Sequence, residues 1–331
     1  MIHHLEISNF KSVKKLKLNC KKVNVFIGEP NSGKSNIVEA MALQCVDMVT
    51  SGLDRGVFRF RRISDLYTDF NIEEPIIVKA DESTATLSYP LNGNVRNNVG
   101  FYNYRFWYNE NSEDSHSILL NHSGEVAQSG RLHASNVMYY NFKRLTFADG
   151  NRLSNLDCPH GVNLSALLVS HKSLRLWVAD FLAKSKLLLN LKPDDGSIEV
   201  GKWVDGTIYS YPYSSISETL QRVIFYEMAI ASNKASVLLF DEPETHTFPF
   251  YTKYLAERIA LDEWNQFFLT THNPYLLLSL IEKTPFDNLN VILCQMKDYQ
   301  TEATVLNKEQ VEQVLDLNSD VFFNFDQLLG K

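Results

Sequence analysis

The 331-residue sequence predicts an α/β fold, and three observations support this prediction. Short apolar runs rich in β-branched and aromatic residues lie at 23–27, 237–240 and 266–271, as expected of buried strands. A glycine-containing loop follows the first run, and polar side chains follow the other two. Open α/β sheets bind ligands at the carboxyl ends of their strands. The sequence therefore predicts one binding site to which both ends of the chain contribute.

The first element is a strand, loop and helix around residues 28–35, GEPNSGKS, which have the pattern of a phosphate-binding loop. Gly28 and Gly33 allow the backbone amides to point towards phosphate oxygens. The Lys34 ammonium would reach the β- and γ-phosphates, and the Ser35 hydroxyl would bind Mg²⁺. Apolar residues spaced three and four apart follow the loop and predict its helix. The predicted nucleotide-binding residues of this segment are Gly28, Asn31, Ser32, Gly33, Lys34, Ser35 and Asn36.

The second element is the strand at 237–240, which ends in Asp241 and Glu242. Asp241 at a strand end can hold Mg²⁺, directly or through water, so Ser35 and Asp241 are the predicted metal ligands. Glu242 points elsewhere and can orient or deprotonate the attacking water. An acidic turn after a strand is common by itself, but its position downstream of a phosphate loop favours the second half of a nucleotide site.

The third element is the strand at 266–271, which is followed by His272. A histidine at a strand end beside the γ-phosphate can contact that phosphate and sense its loss, although a lone histidine is more commonly structural. The apolar strand, the sequence TTHNP and the distance after Asp241 favour the functional interpretation. Glu242 and His272 are therefore the predicted catalytic residues.

Together these segments resemble the ABC-type ATPases of the SMC, RecF and OLD (overcoming lysogenisation defect) group. They are most similar to the stand-alone bacterial AAA family ATPases of phage-defence operons. The matching segments are residues 5–12, 28–35, 241–249 and 271–274. The resemblance thus covers both ends of the chain and not the middle. It implies an enzyme that hydrolyses ATP with Mg²⁺, with Lys11 near the nucleotide and His272 as the switch histidine.

The resemblance also implies the fold of an ABC-ATPase head, a P-loop NTPase fold with an antiparallel β lobe beside the nucleotide site. No heptad run long enough for a long coiled coil separates the two halves, and an apolar stripe over residues 164–189 predicts a compact helical insert there. Strand-like segments as far as 137–140 are assigned to the β lobe. The predicted parts are the N-terminal part of the head with the phosphate loop (1–70), the β-rich lobe (71–145), the helical insert (146–205) and the C-terminal part of the head with the signature-like, Walker B and switch-histidine motifs (206–331).

A signature segment that contacts the γ-phosphate of a second subunit is a further implication of the resemblance, and residues 214–222 match it best. Ser217 would face that phosphate from the N-terminus of a helix. Glu218 and Thr219 stand where the family has glycines, and a simple helix N-cap is the alternative interpretation. The family's glutamine that completes the Mg²⁺ shell has no match, since the segment 65–69 in the likely region contains no glutamine.

Overall charge gives no indication of a nucleic-acid partner. The net charge is −7, from 32 basic and 39 acidic residues. Six lysines within 11–22 and four arginines within 55–62 form two basic clusters. Each cluster is interpreted either as a contact to a phosphate backbone or as a solvated strand surface.

Localisation and cysteine usage give further expectations. No run approaches the roughly 18 apolar residues of a membrane helix, and the chain starts with no apolar signal segment. We therefore expect a cytoplasmic protein with no membrane contact. The dispersed cysteines favour buried free thiols over a zinc site or a disulfide framework; they are Cys20, Cys45, Cys158 and Cys294.

The predicted function is that of an ATPase that dimerises head-to-tail, with each ATP and Mg²⁺ between one phosphate loop and Ser217 of the other copy. Only 59 residues follow His272, too few for the nuclease domain of OLD proteins. We therefore expect the dimer to be a sensor or regulator of a separate effector protein in phage or plasmid defence. One alternative is a RecF-like DNA-repair ATPase that binds DNA through the lysine cluster. The other is a nucleotide-gated scaffold with little hydrolysis, which Glu218 and Thr219 would fit.

Overall fold

The computed structural model describes residues 1–53, 56–89, 95–97, 100–102, 104–110, 116–128, 135–144, 154–317 and 322. Its strands are β1 (His4–Phe10), β2 (Val13–Asn19), β3 (Val23–Gly28), β4 (Ile76–Ala80), β5 (Ser83–Ser88), β6 (Val95–Asn97), β7 (Gly100–Tyr102), β8 (Tyr104–Glu110), β9 (His116–Leu120), β10 (Val126–Gln128), β11 (Val137–Tyr140), β12 (Leu188–Lys192), β13 (Ser197–Val204), β14 (Thr207–Pro212), β15 (Val237–Asp241), β16 (Gln266–Thr270), β17 (Leu289–Lys297) and β18 (Gln300–Val305).

The α-helices are α1 (Lys34–Met41), α2 (Val46–Val49), α3 (Leu164–Ser170), α4 (Lys172–Ala183), α5 (Glu218–Ser232), α6 (Pro249–Ala260), α7 (Pro274–Lys283) and α8 (Lys308–Leu317). Short 3₁₀ helices lie at Ala42–Gln44, Ile63–Leu66, Thr68–Phe70, Tyr213–Ser215 and Phe286–Asn288.

The centre of the molecule is a six-stranded sheet of order β11-β15-β16-β3-β17-β18, in which all neighbours except β17 and β18 are parallel. Every residue of β3 is buried. Val23, Val25 and Ile27 pack into one hydrophobic cluster with α3 to α8, and Phe26 packs into a second cluster with α1. Because both faces are covered, the strand is apolar throughout rather than alternating. The predicted α/β fold is confirmed.

The second large sheet is antiparallel, with the order β10-β9-β8-β5-β4-β1-β2. Its apolar face contributes to the second hydrophobic cluster and therefore packs with α1. This sheet is the flanking β lobe that the resemblance implies, and it includes β1 and β2 from the start of the chain. It lies against the phosphate-loop helix and fixes that helix relative to the central sheet.

One segment assigned to the β lobe lies elsewhere. The strand β11 pairs in parallel with β15, Val137 opposite Val237 and Tyr140 opposite Phe240, and so forms an edge of the central sheet. All four residues of β11 are buried. A short apolar run predicts a buried strand but does not specify the sheet to which the strand belongs.

The predicted helical insert contains α3, α4, β12 and β13, and the last two form with β14, just beyond it, a small sheet of order β12-β13-β14 that the sequence analysis did not predict. The apolar stripe was extended to residue 189, whereas α4 ends at Ala183. The hairpin between β13 and β14 turns at Asp205 and Gly206, both with positive φ, as two-residue hairpin turns require. The part of the insert at 146–153 lies outside the described residues.

The expected absence of a long coiled coil holds for the part of the chain that the structure describes, since α5, the longest helix there, has 15 residues. Among these residues no helix is both long enough and apolar enough to cross a bilayer.

Candidate functional site

The phosphate loop connects β3 to α1 through a backbone that only certain residues tolerate. Gly28, Asn31 and Gly33 have φ angles of 146°, 62° and 89°, in the region that favours glycine and tolerates asparagine. A Cβ atom at Gly33 would lie 1.8 Å from the hydroxyl oxygen of Thr301 on β18. That threonine in turn hydrogen-bonds the Ser12 hydroxyl at 2.7 Å. The loop is therefore wedged between two sheets, and glycine at this position is a steric requirement.

The Lys34 ammonium lies inside the loop. It donates hydrogen bonds to the carbonyl oxygens of Gly28 at 2.8 Å and Glu29 at 2.7 Å. Burial lowers the Lys34 pKa, while the neighbouring Cys294, Glu242 and Asp241 side chains oppose that shift. A cleft of about 300 Å³ opens beside this ammonium, lined by residues 30–36, Arg59 and Glu242. Its shape and its cationic wall fit a chain of phosphate groups.

Asp241 and Glu242 lie at the carboxyl end of β15 and diverge. The Thr270 hydroxyl at the end of β16 donates a 2.6 Å hydrogen bond to Asp241 Oδ1. The Thr270 hydroxyl oxygen in turn accepts a 3.0 Å hydrogen bond from the Glu242 amide. Glu242 has a φ of 46°, a strained value for a non-glycine residue of the kind that occurs at functional sites. This turn separates the two carboxylates, so Asp241 stays at the sheet edge and Glu242 lines the cleft.

Glu242 also contacts the predicted switch histidine. His272 Nδ1 and Glu242 Oε1 are 3.1 Å apart, with both side chains partly exposed to solvent. The structure therefore brings His272 into contact with Glu242, which lines the cleft. A carboxylate in contact with an imidazole at the edge of a cationic cleft can orient a water molecule and accept its proton.

Glu244, which the sequence analysis did not select, is a deeply buried acid, with 3% of its surface exposed. Its Oε1 accepts a hydrogen bond from the Thr271 hydroxyl, and its Oε2 is buried with no hydrogen-bond partner among the described residues. Burial raises the Glu244 pKa to about 7. The Thr271 hydroxyl also accepts the Asn273 amide at 3.0 Å. Glu244 thus connects the turn after β15 to the segment that carries His272.

Lys11 reaches the phosphate-loop helix by pairing with Glu39 on α1. Glu39 is 2% exposed and also accepts hydrogen bonds from Arg59, at 2.9 Å from the backbone amide and 3.1 Å from Nη2. Arg59 lines the cleft. Lys11 is therefore connected to the cleft through Glu39 and Arg59, and its role near the nucleotide stays a prediction. The sequence indicated Arg59 only as one member of a basic cluster.

Ser217 is the N-cap of α5, and its hydroxyl accepts the Leu220 amide at 3.4 Å. This is the geometry of the N-cap alternative. The neighbouring Glu218 contacts two arginines and a histidine: its carboxylate lies 2.9 Å from Arg222 Nε and 3.1 Å from both Arg144 Nη2 and His246 Nδ1. The hydrogen bond from His246 and that from Arg222 lower the Glu218 pKa. The Glu218 carboxylate is thus ionised and paired with arginines of its own chain.

A residue at the end of β11 is a candidate for the side-chain amide that the family's glutamine contributes to the Mg²⁺ shell. Since Tyr140 pairs with Phe240, the next residue, Asn141, follows the strand beside Asp241 at the same sheet edge. In the segment where a glutamine was sought, the Asp65 carboxylate accepts hydrogen bonds from the amides of residues 61 and 62, at 2.8 and 3.1 Å. Asn141 could be found only once β11 was placed in the central sheet.

The fold and this site define a class of protein. A phosphate loop on the central strand, an Asp–Glu pair on a parallel strand, a histidine after the strand between them and a flanking antiparallel sheet form the ABC-type ATPase head fold. The AAA ATPase domain family matches residues 1–49. None of the curated proteins is detectably similar in sequence to this chain.

Solved structures of SMC heads share the fold. An SMC head bound to the C-winged helix domain of ScpA has 17% identity and a TM-score of 0.50, with 93% of this chain and 99% of that chain covered. An Smc head domain with a coiled coil and joint from Pyrococcus yayanosii has 12% identity and a TM-score of 0.53, with 95% and 99% covered. At these identities the similarity shows the fold alone.

Proposed function

We propose that this chain binds ATP with Mg²⁺ and hydrolyses it. The observation that carries the proposal is the cleft itself, which has the Lys34 ammonium and the phosphate loop on one side and Glu242 on the other. Binding and hydrolysis need these two walls to face the same phosphate group, because the cation must hold the phosphate while the carboxylate positions the water.

Each residue has a distinct task in this proposal. Lys34 and the loop amides bind the phosphate oxygens, and Ser35 and Asp241 hold Mg²⁺, with Asn141 completing its shell. Bound Mg²⁺ supplies charge neutralisation at the phosphates. Glu242 orients the attacking water and accepts its proton. The contact of His272 with Glu242 sets the direction of that carboxylate and makes the histidine responsive to the γ-phosphate.

The second part of the proposal is a head-to-tail dimer in which Ser217 and the N-terminus of α5 approach the nucleotide of a second copy. The 15-residue α5 helix offers its unpaired amides and positive dipole end there. A carboxylate would repel a triphosphate at this point. The two arginines beside Glu218, Arg144 and Arg222, reduce that obstacle, because they compensate its charge within its own protomer.

On the resemblance of the motifs, we further propose that the dimer is a sensor or regulator of a separate effector protein in phage or plasmid defence. The rival DNA-repair function depends on the lysine cluster. Four of those lysines are engaged within the chain: Lys11 with Glu39, Lys17 with Glu6, and Lys21 and Lys22 with backbone carbonyl oxygens. Two of these charges are compensated by acids and the other two ammonium groups are held by carbonyl oxygens, which leaves fewer lysines free to contact a DNA backbone and disfavours that rival.

Steady-state ATP hydrolysis by the wild type, Lys34→Ala and Glu242→Gln tests the proposal. Lys34→Ala should lose ATP binding, whereas Glu242→Gln should bind ATP and lose at least about 100-fold in turnover. Glu263→Gln, an exposed glutamate outside the cleft, is the matched control and should behave as the wild type. Wild-type turnover in Glu242→Gln would instead support the nucleotide-gated scaffold.

The native mass of Glu242→Gln tests the dimer. With ATP and Mg²⁺ the mass should be twice 37.9 kDa, and it should return to one copy without nucleotide. Ser217→Arg should prevent this dimer because it places a bulky side chain at the N-terminus of α5. Unchanged dimerisation and turnover in Ser217→Arg would refute the shared site and leave the phosphate-loop assignments standing.

A further inference from the structure

Two of the four cysteines face each other across the middle of the molecule. The Sγ atoms of Cys45 and Cys158 are 3.4 Å apart, although the residues are 113 positions apart in the chain. Cys45 lies between a 3₁₀ turn that follows α1 and the start of α2. Cys158 lies in the loop before α3 and packs against both hydrophobic clusters. A disulfide has an S–S distance of about 2.05 Å, so a sulfur displacement of roughly 1.4 Å would join them.

The other two cysteines provide an internal comparison. Burial raises the pKa of Cys20 and of Cys294 to about 12, which keeps both thiols protonated and unreactive. In the pair, the hydrogen bond from Cys158 lowers the pKa of Cys45. Cys158 therefore stabilises the thiolate of Cys45, which is the form that attacks an oxidised sulfur.

The pair is also accessible to small reagents. Cys158 is partly exposed and lines a solvent-open cleft of about 610 Å³, together with Met48, Leu53, Ser123 and His160. Cys45 is completely buried behind it. A small neutral oxidant can thus reach the outer sulfur, and the inner sulfur is in position to react with the product.

We propose that Cys45 and Cys158 form an oxidation site for hydroperoxides that closes to an intramolecular disulfide. The Cys158 sulfur attacks the peroxide, so an S–O bond forms, the O–O bond breaks, and with hydrogen peroxide one water leaves. The Cys45 sulfur then attacks Cys158 Sγ, so the S–S bond forms, the S–O bond breaks and a second water leaves. The two thiols supply the two electrons that reduce the peroxide, and a dithiol reductant reverses the reaction.

The new bond would connect two parts of the molecule that otherwise only pack together. One end lies four residues beyond α1, the phosphate-loop helix, and the other lies in the insert, before α3. The inference does not depend on ATP hydrolysis, because the oxidation chemistry needs only the two sulfurs and an open path to one of them.

Peroxide treatment of the full-length wild-type protein tests the inference without any variant. A slight molar excess of hydrogen peroxide should remove two of the four thiols counted by maleimide labelling after denaturation. Tryptic mapping should show residues 35–55 and 153–172 joined, with a mass two hydrogens below their sum. Dithiothreitol should restore both thiols. Four intact thiols, a link to Cys20 or Cys294, or a link between molecules would each overturn the proposal.

Serine variants separate the two chemical steps. Cys45→Ser should stop at a sulfenic acid on Cys158, which dimedone traps, whereas Cys158→Ser should leave Cys45 unmodified in its buried position. Cys20→Ser is the matched control, because it removes a thiol and should still form the internal disulfide. Rapid oxidation of Cys45 in Cys158→Ser would contradict the assignment of Cys158 as the reagent-facing sulfur.

Discussion

Glu244 makes the stability of this protein depend on pH in a direction opposite to that of a surface carboxylate in an ion pair. Its pKa rises from 4.5 to about 7 in the folded chain, because burial penalises the ionised form. The charged or hydrogen-bonding groups around it are Thr271 and His272, which oppose the rise, and Glu242, which adds to it. The fold therefore prefers this carboxyl group neutral.

The sign and size of the effect follow from proton linkage. Between pH 4.5 and about 7 the folded protein keeps a proton that the unfolded chain has released, so the free energy of unfolding falls as pH rises through this window. A folded-state pKa about 2.5 higher than that of the unfolded chain corresponds to roughly 3 kcal/mol. About 2.5 kcal/mol of this should be lost between pH 5 and pH 8.

Urea unfolding of the wild type and Glu244→Gln at pH 5 and pH 8 measures this term. Gln keeps an oxygen for the Thr271 hydroxyl and does not titrate. The free energy of unfolding of Glu244→Gln should therefore fall by about 2.5 kcal/mol less between pH 5 and pH 8 than that of the wild type. Any constant cost of the buried amide cancels in the comparison. Glu263→Gln, which changes an exposed carboxylate, should follow the wild type. Equal pH dependence in wild type and Glu244→Gln would refute the reasoning.

Three further substitutions test the local geometry. Gly33→Ala should lower the free energy of unfolding, measured by thermal unfolding, by about 2 kcal/mol or more, because the added Cβ would clash with β18. Gly206→Ala has a similar φ and nothing within 4 Å of its Cβ, so it should lower that free energy by only about 1 kcal/mol. Equal losses in the two variants would show that crowding at Gly33 is irrelevant. Ser217→Ala should cost about 1 kcal/mol in urea unfolding through loss of the α5 cap, and no change would contradict the cap. Tyr140→Phe should cost about 1–3 kcal/mol in the same assay, because it leaves the buried Asn233 amide without the hydroxyl it binds at 2.8 Å; a cost near zero would mean that the amide finds another acceptor.

The parts of the site that the sequence predicted are those whose chemistry is local. A phosphate loop needs Gly33 and Lys34 at set spacing because the same short backbone segment must curve and present its amides. Asp241 and His272 follow apolar runs that are recognisable as buried strands. In each case residues close in sequence are enough to predict the feature. The structure brings the phosphate loop, Asp241 and His272 to the same edge of the central sheet.

The parts that the sequence analysis missed depend on distant neighbours. Glu244 reads as one more acid in a polar turn, and only its burial against Thr271 distinguishes it. The position of Asn141 beside Asp241 depends on which sheet receives β11, and that is decided by pairing with a strand about 100 residues later. The apolar stripe continued past the end of α4 into β12, since a short apolar segment fits helix and strand alike.

The order of strands in the central sheet determines when, during synthesis of the chain, the nucleotide site can fold. The strand β3 lies between β16 and β17, whose residues are synthesised some 240 to 270 positions later. The Ile2 backbone is likewise held at 2.6–2.7 Å by the Gln266 side chain. A ribosome-bound chain therefore carries a finished phosphate-loop sequence with neither neighbouring strand to hold it. Such long-range pairing is slow and leaves apolar strands uncovered. The first motif to be translated is thus among the last to acquire its shape, and a truncated chain ending before β16 has no folded nucleotide site.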